Sequence, residues 1–230
     1  MEFKQLSLRT CTEASGTVIV VDVIRAFTVA AYAFAAGARD VLLVGTEEEA
    51  LALRDRLPGA WTMGEVNGLK PDSFDLGNSP AALVGYDLSG RRLIQRTSAG
   101  TQGVVCSSPY ADSLLACSLC CASATARYVQ GCSPETVSFV ITGIHAGTKE
   151  NDGDEDLACA DYVEALLGGK IPDTKPVVQR VLDSYIARMF HDPARPEFPA
   201  ADLEYCVDVD RFDFAMRVVR QDDLLVMKPI

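Results

Sequence analysis

The sequence predicts an α/β fold in which parallel or mixed sheets are flanked by helices, arranged as two closely packed α/β subdomains. Residues 17–22 (TVIVVD) form a continuous β-branched run, which is typical of a strand buried in a parallel sheet. Residues 26–36 are Ala-rich and of helical length, and Gly37 stands where a C-cap is expected. Residues 40–44 (DVLLV) are a second buried run. This strand–helix–strand order predicts parallel strands joined by a helical crossover.

The rest of the chain continues in the same style. Thr46 and Glu49 match a capping box at the start of a helix, and the proline-containing residues 191–199 indicate a surface excursion. Further strands are predicted at residues 60–65, 92–96, 114–119, 136–142 and 224–227, and further helices at residues 121–129, 155–167, 175–189 and 208–219. Because there is no repeat or low-complexity linker, residues 1–230 are expected to form a single unit. A subdivision near residues 120–135 is left open.

Composition narrows the class of protein. The 230 residues carry a formal net charge of −11, which disfavours a nucleic-acid partner because its phosphates would be repelled. No run approaches the ~20 apolar residues of a membrane span, and residues 1–10 lack the apolar core of a signal peptide. We therefore expect a cytoplasmic protein without a membrane partner, whose eight cysteines are reduced thiols. A homodimer is left open.

Charged side chains follow the first predicted strand. Asp22 ends that strand, where an unpaired carboxylate is costly, so it is either the N-cap of the next helix or a metal ligand or general base. Arg25 lies in the first turn of that helix, where the helix dipole disfavours a cation. It is either an ion-pair partner of Asp22 or a bidentate ligand for an anion docked at the helix N-terminus.

More polar residues follow the later strands. Glu65 ends the strand predicted at residues 60–65, and the segment FDLGNSP brings Asp75, Asn78 and Ser79 close together in the chain. Functional loops of open parallel sheets gather at the carboxyl ends of the strands. We therefore expect Asp22 and Arg25, Glu65, residues 97–101 and the acidic residues of 152–156 to meet at one edge. Taken alone, FDLGNSP also fits a capped turn in which Ser79 begins a short helix.

Two further segments are candidates for binding phosphate and metal. Residues 97–101 (TSAGT) combine hydroxyls with a glycine, which lets backbone N–H groups approach a phosphate, although a structural turn fits equally well. Residues 151–156 (NDGDED) have the oxygen density that Mg²⁺ needs, but they also suit a solvated helix N-terminus. Asp156 is the best metal candidate among them. His145 is interpreted as a solvated loop residue, and the CxxCC of residues 117–121 as helix packing rather than a zinc site.

At these residues the chain resembles the 2-phosphosulfolactate phosphatase family. Residues 21–26 (VDVIRA) resemble the family's strand followed by D-V-L-R-A-T, and residues 74–80 (FDLGNSP) match its G-F-D-L-G-N-S-P block nearly residue for residue. Residues 155–160 (EDLACA) resemble its E-D-x-x-C-A-G stretch, and the order and spacing agree over about residues 15–170. The resemblance implies a two-part α/β fold, Mg²⁺ dependence and hydrolysis of a phosphate ester on a short sulfonated acid.

The chain also departs from the family pattern at three positions. Ala99 replaces the Asn of T-T-N-G-T, Cys121 replaces a second Asn, and Phe27 replaces a Thr. Losing two amides and a hydroxyl leaves open a non-catalytic protein that binds a small anion and has lost hydrolysis. Arg96, directly before the TSAGT turn, would supply a replacement anion contact.

These considerations define the predicted site and its partner, a small phosphorylated acid like 2-phosphosulfolactate that would yield sulfolactate and phosphate. The expected catalytic residues are Asp22, Arg25 and Glu65. The expected substrate-binding residues are Arg25, Asn78, Ser79, Arg96, Thr97, Ser98, Gly100 and Thr101. The expected Mg²⁺ ligands are Asp22, Glu65, Asp75 and Asp156, because hard cations select carboxylate oxygen.

Overall fold

The computed structural model describes residues 1–143 and 153–230, which contain nine β-strands and eight α-helices. The strands are β1 Glu2–Ser7, β2 Thr17–Val21, β3 Asp40–Leu43, β4 Trp61–Gly64, β5 Arg92–Arg96, β6 Ser113–Cys117, β7 Thr136–Ile141, β8 Met216–Gln221 and β9 Leu224–Pro229. The helices are α1 Ala26–Ala35, α2 Glu47–Arg56, α3 Gly100–Ser107, α4 Ala122–Cys132, α5 Asp154–Leu167, α6 Thr174–Leu182, α7 Tyr185–Met189 and α8 Ala201–Cys206. The α/β class predicted from the sequence is confirmed.

All nine strands of the described residues belong to one mixed sheet, in the order β1-β7-β2-β6-β8-β9-β3-β5-β4. Strands β1, β7, β2 and β6 are parallel and form the first half of the sheet. Strands β3, β5 and β4 are parallel and form the second half. The hairpin of β8 and β9 joins the two halves by antiparallel pairing, so the halves run in opposite directions along the sheet.

The sheet turns back on itself around α1 and α3. Helix α3 contacts β2 and β7 in the first half and β3 in the second half, and Gln95 of β5 donates a hydrogen bond from Nε2 to the Ala26 carbonyl of α1 at 2.9 Å. Alternate residues of β2 and β3 join most of α1 in one core cluster. The opposite faces pack on α4 and α5 in the first half and on α2 in the second. The carboxyl ends of strands from both halves meet because of this turn, and not because every strand is parallel.

Two predictions of local structure are wrong, and two elements were missed. Residues 208–219 were predicted as a helix, but β8 begins within them, with Met216 and Val218 buried and Arg217 exposed. That alternation has a period of two and is characteristic of a strand. The helix predicted at residues 175–189 is two helices, since Ser184 caps α7 with its side chain. Strand β1 and helix α8 were not predicted. The single unit over residues 1–230 stays a prediction, and the subdivision near residues 120–135, which falls largely on α4, is left open.

The prediction that all eight cysteines are thiols is also wrong. Cys11 and Cys106 form a disulfide that joins the 3₁₀ turn after β1 to α3. The two cysteines are 95 residues apart in the chain, and only the packing of α3 against this turn brings them together. The free thiols are Cys117, Cys120, Cys121, Cys132, Cys159 and Cys206.

Denaturing alkylation without reductant is therefore expected to label six cysteines, and prior reduction is expected to raise the number to eight. Peptide mapping by mass spectrometry should leave Cys11 and Cys106 unlabelled before reduction. A Cys106→Ser variant provides the control, since it should label seven cysteines without reductant. Eight labelled cysteines in the unreduced wild-type protein would contradict the pairing.

Within residues 1–143 and 153–230, every helix is too short or too polar to cross a bilayer.

Candidate functional site

A cavity of about 370 Å³ opens where β2 and β7 of the first half meet β4 and β5 of the second. This size suits a small ligand. Its polar side chains are Asp22, Arg25, Glu65, Asn67, Asn78, Ser98, Thr142, Glu155 and Asp156. Its apolar side chains are Ile24, Ala99, Ile186, Phe190 and Phe198. Four carboxylates and one guanidinium thus face a cavity that is apolar on one side.

Asp22 directly follows β2 and is almost fully buried in the cavity wall. Its Oδ1 accepts a hydrogen bond from the Ala26 backbone N–H at 2.8 Å, so the carboxylate holds the start of α1 and also faces the cavity. Both roles predicted for Asp22 are therefore compatible with its position. Burial, followed by the charge of Glu65, raises the pKa of Asp22 to about 6, although hydrogen bonds from Ala26, Thr142 and Gly100 act in the opposite direction.

Asp156 lies beside Asp22, on the first turn of α5. Its Oδ1 accepts a hydrogen bond from Val23 N at 2.7 Å, and its Oδ2 accepts one from Gly143 N at 2.8 Å. Thr142 Oγ1 lies 3.1 Å from Asp156 Oδ2 and 3.3 Å from Asp22 Oδ2, so one hydroxyl sits between the two carboxylates.

Asp156 shares its surroundings with two other acidic groups. Burial, and then the negative charges of Glu155 and Asp22, raise the pKa of Asp156 well above its usual range. Glu155 and Asp156 in the first turn of α5 are buried, whereas Asp154 is partly exposed. The other residues of the predicted run, Asn151 and Asp152, together with His145, lie outside the described residues.

Glu65 follows β4 and is held by the loops around it. Its Oε1 accepts a hydrogen bond from Ser98 N at 2.5 Å, and its Oε2 accepts from Gly68 N at 2.5 Å and Ser98 Oγ at 3.0 Å. Gly64 before it has a φ of +132°, and any Cβ there would collide with the Arg96 carbonyl oxygen. The Gly-Glu pair is thus required for Glu65 to enter the cavity wall.

The turn at residues 97–101 does not present a row of free amides. Thr97 and Thr101 cap each other, since each backbone N–H donates to the other's Oγ1 at 2.9 and 3.0 Å, and both residues are buried away from the cavity. Ser98 N donates to Glu65, and the Gly100 N–H hydrogen-bonds Asp22. In this structure the three amides expected to bind phosphate therefore bind the protein's own groups.

Some residues in and beside this turn line the cavity, whereas others support the surrounding loops. Ser98 and Ala99 line the cavity. Arg96 instead donates from Nη1 to the Glu65 carbonyl at 2.8 Å and to Ser98 Oγ at 3.2 Å, outside the cavity lining. Arg96 thus supports the loops that carry Glu65 and Ser98.

Only part of the FDLGNSP segment lines the cavity. Asn78 lines the cavity with only 9% of its surface exposed, and its Oδ1 has no hydrogen-bond partner within the described chain. A buried amide oxygen without a partner is costly, so the cavity is suited to a ligand that donates to it. Asp75 lies elsewhere, since its Oδ2 accepts from Thr62 N and Oγ1 at 2.8 and 2.9 Å. Ser79 Oγ donates to Asp202 Oδ1 at 2.6 Å and is likewise used within the protein.

Arg25 stands at the N-cap of α1 and lines the cavity while 5% exposed. The ion pair with Asp22 considered from the sequence is replaced by one with Asp202, whose Oδ2 accepts from Nη1 at 2.7 Å. The centre of the guanidinium lies 5.1 Å from the Phe190 ring and 5.2 Å from the Phe198 ring, and the two rings lie 5.2 Å apart. The rings therefore form a corner beside the guanidinium rather than a sandwich around it.

Sequence reasoning missed several residues that shape this site. These residues are Asp202, Phe190, Phe198 and Ile186. They lie beyond residues 15–170, over which the family pattern was recognised. No spacing or motif connects them to Asp22 or Arg25. Thr142 was detectable in principle, since it directly follows the strand predicted at residues 136–142 and is a polar residue at its carboxyl end.

The cavity offers oxygen donors of the kind that Mg²⁺ prefers. Within residues 1–143 and 153–230, no three His, Cys, Asp or Glu side chains are grouped closely enough to form a complete metal site. Mg²⁺ is commonly bound by one or two carboxylates, with waters and substrate phosphate completing the shell. Asp22 and Asp156 provide two such carboxylates, which meet at the Thr142 hydroxyl, and burial raises the pKa of both. The residues present therefore fit a hard divalent cation, with Glu65 on the cavity wall nearby and Asp75 outside it.

The raised pKa of Asp22 predicts a specific pH dependence of stability. The unfolded carboxyl has a pKa of about 3.9, so between about pH 4 and 6 the folded protein holds a proton that the unfolded chain has lost. Stability contributed by this group is complete below about pH 4 and is lost as the pH rises through about 6, by on the order of 3 kcal/mol. The free energy of unfolding of Asp22→Asn, measured without divalent cations, should improve relative to wild type by that order between pH 4 and 7.5. Two parallel curves would contradict this prediction.

Comparisons with known proteins agree with one another. The family model described as 2-phosphosulpholactate phosphatase matches residues 4–221 of the chain. A Bacillus subtilis protein named "Probable 2-phosphosulfolactate phosphatase" is 36% identical over 205 residues, covering 89% of this chain and 87% of that protein. Proteins of the same name from Carboxydothermus hydrogenoformans and Caldicellulosiruptor saccharolyticus are each 31% identical, over 92% and 91% of this chain and 90% of their own lengths.

Proposed function

Because the chain belongs to the 2-phosphosulpholactate phosphatase family, we propose that it hydrolyses the phosphate ester of a small acid like 2-phosphosulfolactate in an Mg²⁺-dependent reaction. Water attacks phosphorus, the ester P–O bond breaks, and sulfolactate and inorganic phosphate are released. The observation that carries the proposal is the convergence of Asp22 and Asp156 on Thr142, beside Arg25 and Asn78 in one cavity.

Each group in the cavity has a role in this proposal. Asp22 and Asp156 would hold Mg²⁺, which would neutralise phosphate charge and stabilise the leaving alkoxide when bound. Arg25 binds phosphoryl oxygens, and Asn78 Oδ1 accepts a hydrogen bond from the attacking water. Glu65 Oε1 has one hydrogen-bond donor, Ser98 N, within the described chain and keeps a lone pair. We assign it the proton from the attacking water.

The apolar side of the cavity limits access of bulk water. Ile24, Ile186, Phe190 and Phe198 stand on the side where Arg25 enters. Charged interactions are stronger where water is excluded, so an oxyanion at Arg25 would be held more firmly than at an open surface.

The alternative is a protein that binds a small anion without hydrolysing it. One observation favours it, namely that Ala99 lines the cavity where the family has an asparagine. The second replacement, Cys121, is fully buried and does not line the cavity. The amide that the family has at this position is therefore not lost from the site. Hydrolysis is therefore favoured over simple binding.

A substrate panel tests the proposal. Phosphate release would be measured from phosphorylated three-carbon acids, with and without a sulfonate, in Mg²⁺ and after chelation by EDTA. We expect release that requires Mg²⁺ and is fastest with the sulfonated acid. Saturable binding of phosphate without release from any ester would instead establish the anion-binding alternative.

The remaining expectations about partners and location belong to the same proposal. The net charge of −11 supports a small phosphorylated acid rather than a nucleic acid as partner. Cytoplasmic location stays a prediction, and a homodimer is left open. Stable disulfides are rare in the cytosol, so alkylation of protein taken directly from cells tests the location.

A further inference from the structure

Arg25 uses only part of its hydrogen-bonding capacity within the described chain. Both bonds come from Nη1, to Asp202 Oδ2 at 2.7 Å and to the Glu197 carbonyl at 3.1 Å. Nη1 carries two hydrogens, so this nitrogen is fully used. The edge formed by Nε and Nη2 is the remaining fork of the guanidinium, and such an edge fits two oxygens of a phosphoryl group.

Asp202 is fixed independently of Arg25. It belongs to α8, is fully buried, and does not line the cavity. Its Oδ1 accepts hydrogen bonds from Ser79 Oγ at 2.6 Å and from Ala81 N at 3.2 Å, both at the end of the FDLGNSP segment. Two donors on Oδ1 set the rotation of the carboxylate, and this in turn sets where Oδ2 meets Arg25.

We propose that Asp202 is a positioning residue, which holds the Arg25 guanidinium so that its Nε–Nη2 edge binds the phosphoryl oxygens of the substrate. The inference rests on the function proposed above. Asp202 contacts no cavity, so its effect on substrate passes through Arg25. A buried ion pair contributes little net stability compared with apolar packing, and the phenylalanine corner already packs against the same guanidinium. The pair is therefore better explained by the orientation it imposes.

Asp202→Asn breaks this arrangement without changing its size. All the partners recorded for the carboxylate are donors, so the new NH₂ group meets Arg25 Nη1 in one orientation and Ala81 N in the other. We expect the KM for substrate and the Kd for inorganic phosphate to rise about tenfold, which corresponds to about 1.4 kcal/mol.

Asp40→Asn is the matched control. Asp40 is buried and also pairs with an arginine, since it accepts from Arg92 Nε and Nη2 at 2.7 Å each. It begins β3, whereas the cavity lies beyond the carboxyl end of the neighbouring strand β5. This variant should have a lower melting temperature than wild type and the same affinity for phosphate.

A double-mutant cycle separates positioning from general damage. If Asp202 acts through Arg25, Asp202→Asn should cost about tenfold in phosphate affinity in wild type and almost nothing in Arg25→Lys. Ser79→Ala, which removes only one of the two donors on Oδ1, should weaken phosphate binding by about threefold and lose this effect in Arg25→Lys. Ser79→Ala replaces Asp202→Asn in the cycle if Asp202→Asn does not fold.

Each possible result either supports or contradicts the positioning role of Asp202. Additive effects, or a phosphate Kd that stays constant while Asp202→Asn melts early like Asp40→Asn, would overturn the positioning role and leave the proposed hydrolysis intact. Wild-type protein that binds phosphate but releases none from any ester would refute hydrolysis, while a non-additive cycle in the phosphate titration would still support the role of Asp202.

Discussion

Asp22→Asn is expected to reduce phosphate release by at least about 10²-fold, because a bound divalent cation stabilises transition-state charge by several kcal/mol. The substitution removes one of the two carboxylates beside Thr142 and turns an NH₂ group towards either Ala26 N or the Thr142 hydroxyl. The fold should persist, since burial of the negative charge is unfavourable at neutral pH. Initial rates at saturating Mg²⁺ and Mg²⁺ affinity by calorimetry would be measured together.

Asp75→Asn is the control for this experiment. Asp75 comes from the same family block but lies outside the cavity, where it holds Thr62. It should alter melting temperature while keeping Mg²⁺ affinity. If Asp22→Asn and Asp156→Asn both retain wild-type affinity for Mg²⁺, the two carboxylates do not form the cation site.

Arg25→Lys should weaken phosphate binding roughly ten- to a hundredfold, the equivalent of the ~1.5–3 kcal/mol contributed by a hydrogen bond to a charged group. The lysine ammonium keeps the charge but has a single nitrogen, so it cannot serve Asp202, the Glu197 carbonyl and an anion with a fixed fork. It also loses the flat surface that packs in the corner of Phe190 and Phe198.

Phosphate titration and thermal melting of Arg25→Lys distinguish two roles. A guanidinium that binds substrate predicts a large change in Kd, with a melting temperature that falls because Asp202 loses its planar partner. A purely structural role predicts the same fall in melting temperature with wild-type phosphate affinity. The second result would remove Arg25 from the proposed site.

The sequence allowed the local parts of this site to be predicted. The β-branched run that becomes β2 ends in Asp22, and the rule that functional groups follow strand ends identified Asp22, Glu65 and Asp156 without knowledge of the topology. Asn78 was identified through the FDLGNSP block. Asp202 could not be found in this way. It lies 177 residues from Arg25 in the chain, and no motif or regular spacing connects the two residues.

The turn at residues 97–101 shows a second limit. Its hydroxyls and glycine are suited to a phosphate, yet Ser98 N donates to Glu65 on another loop. Whether an amide is free depends on tertiary partners that composition does not reveal. Similarly, β8 was predicted as part of a helix. Its alternation of buried and exposed residues is short, and the segment is a strand because it pairs with β6 and β9 on either side.

The position of the β8–β9 hairpin has a consequence for how the protein is made. These are the last strands of the described chain, yet they lie in the middle of the sheet, between β6 and β3. During synthesis, all the strands of both halves leave the ribosome before the hairpin that connects them. Until it arrives, the facing edges of β6 and β3 have no partner, and unpaired strand edges favour aggregation. We expect nascent chains stalled before residue 216 to bind chaperones, and release of the final strands to be the step that commits the chain to its native state.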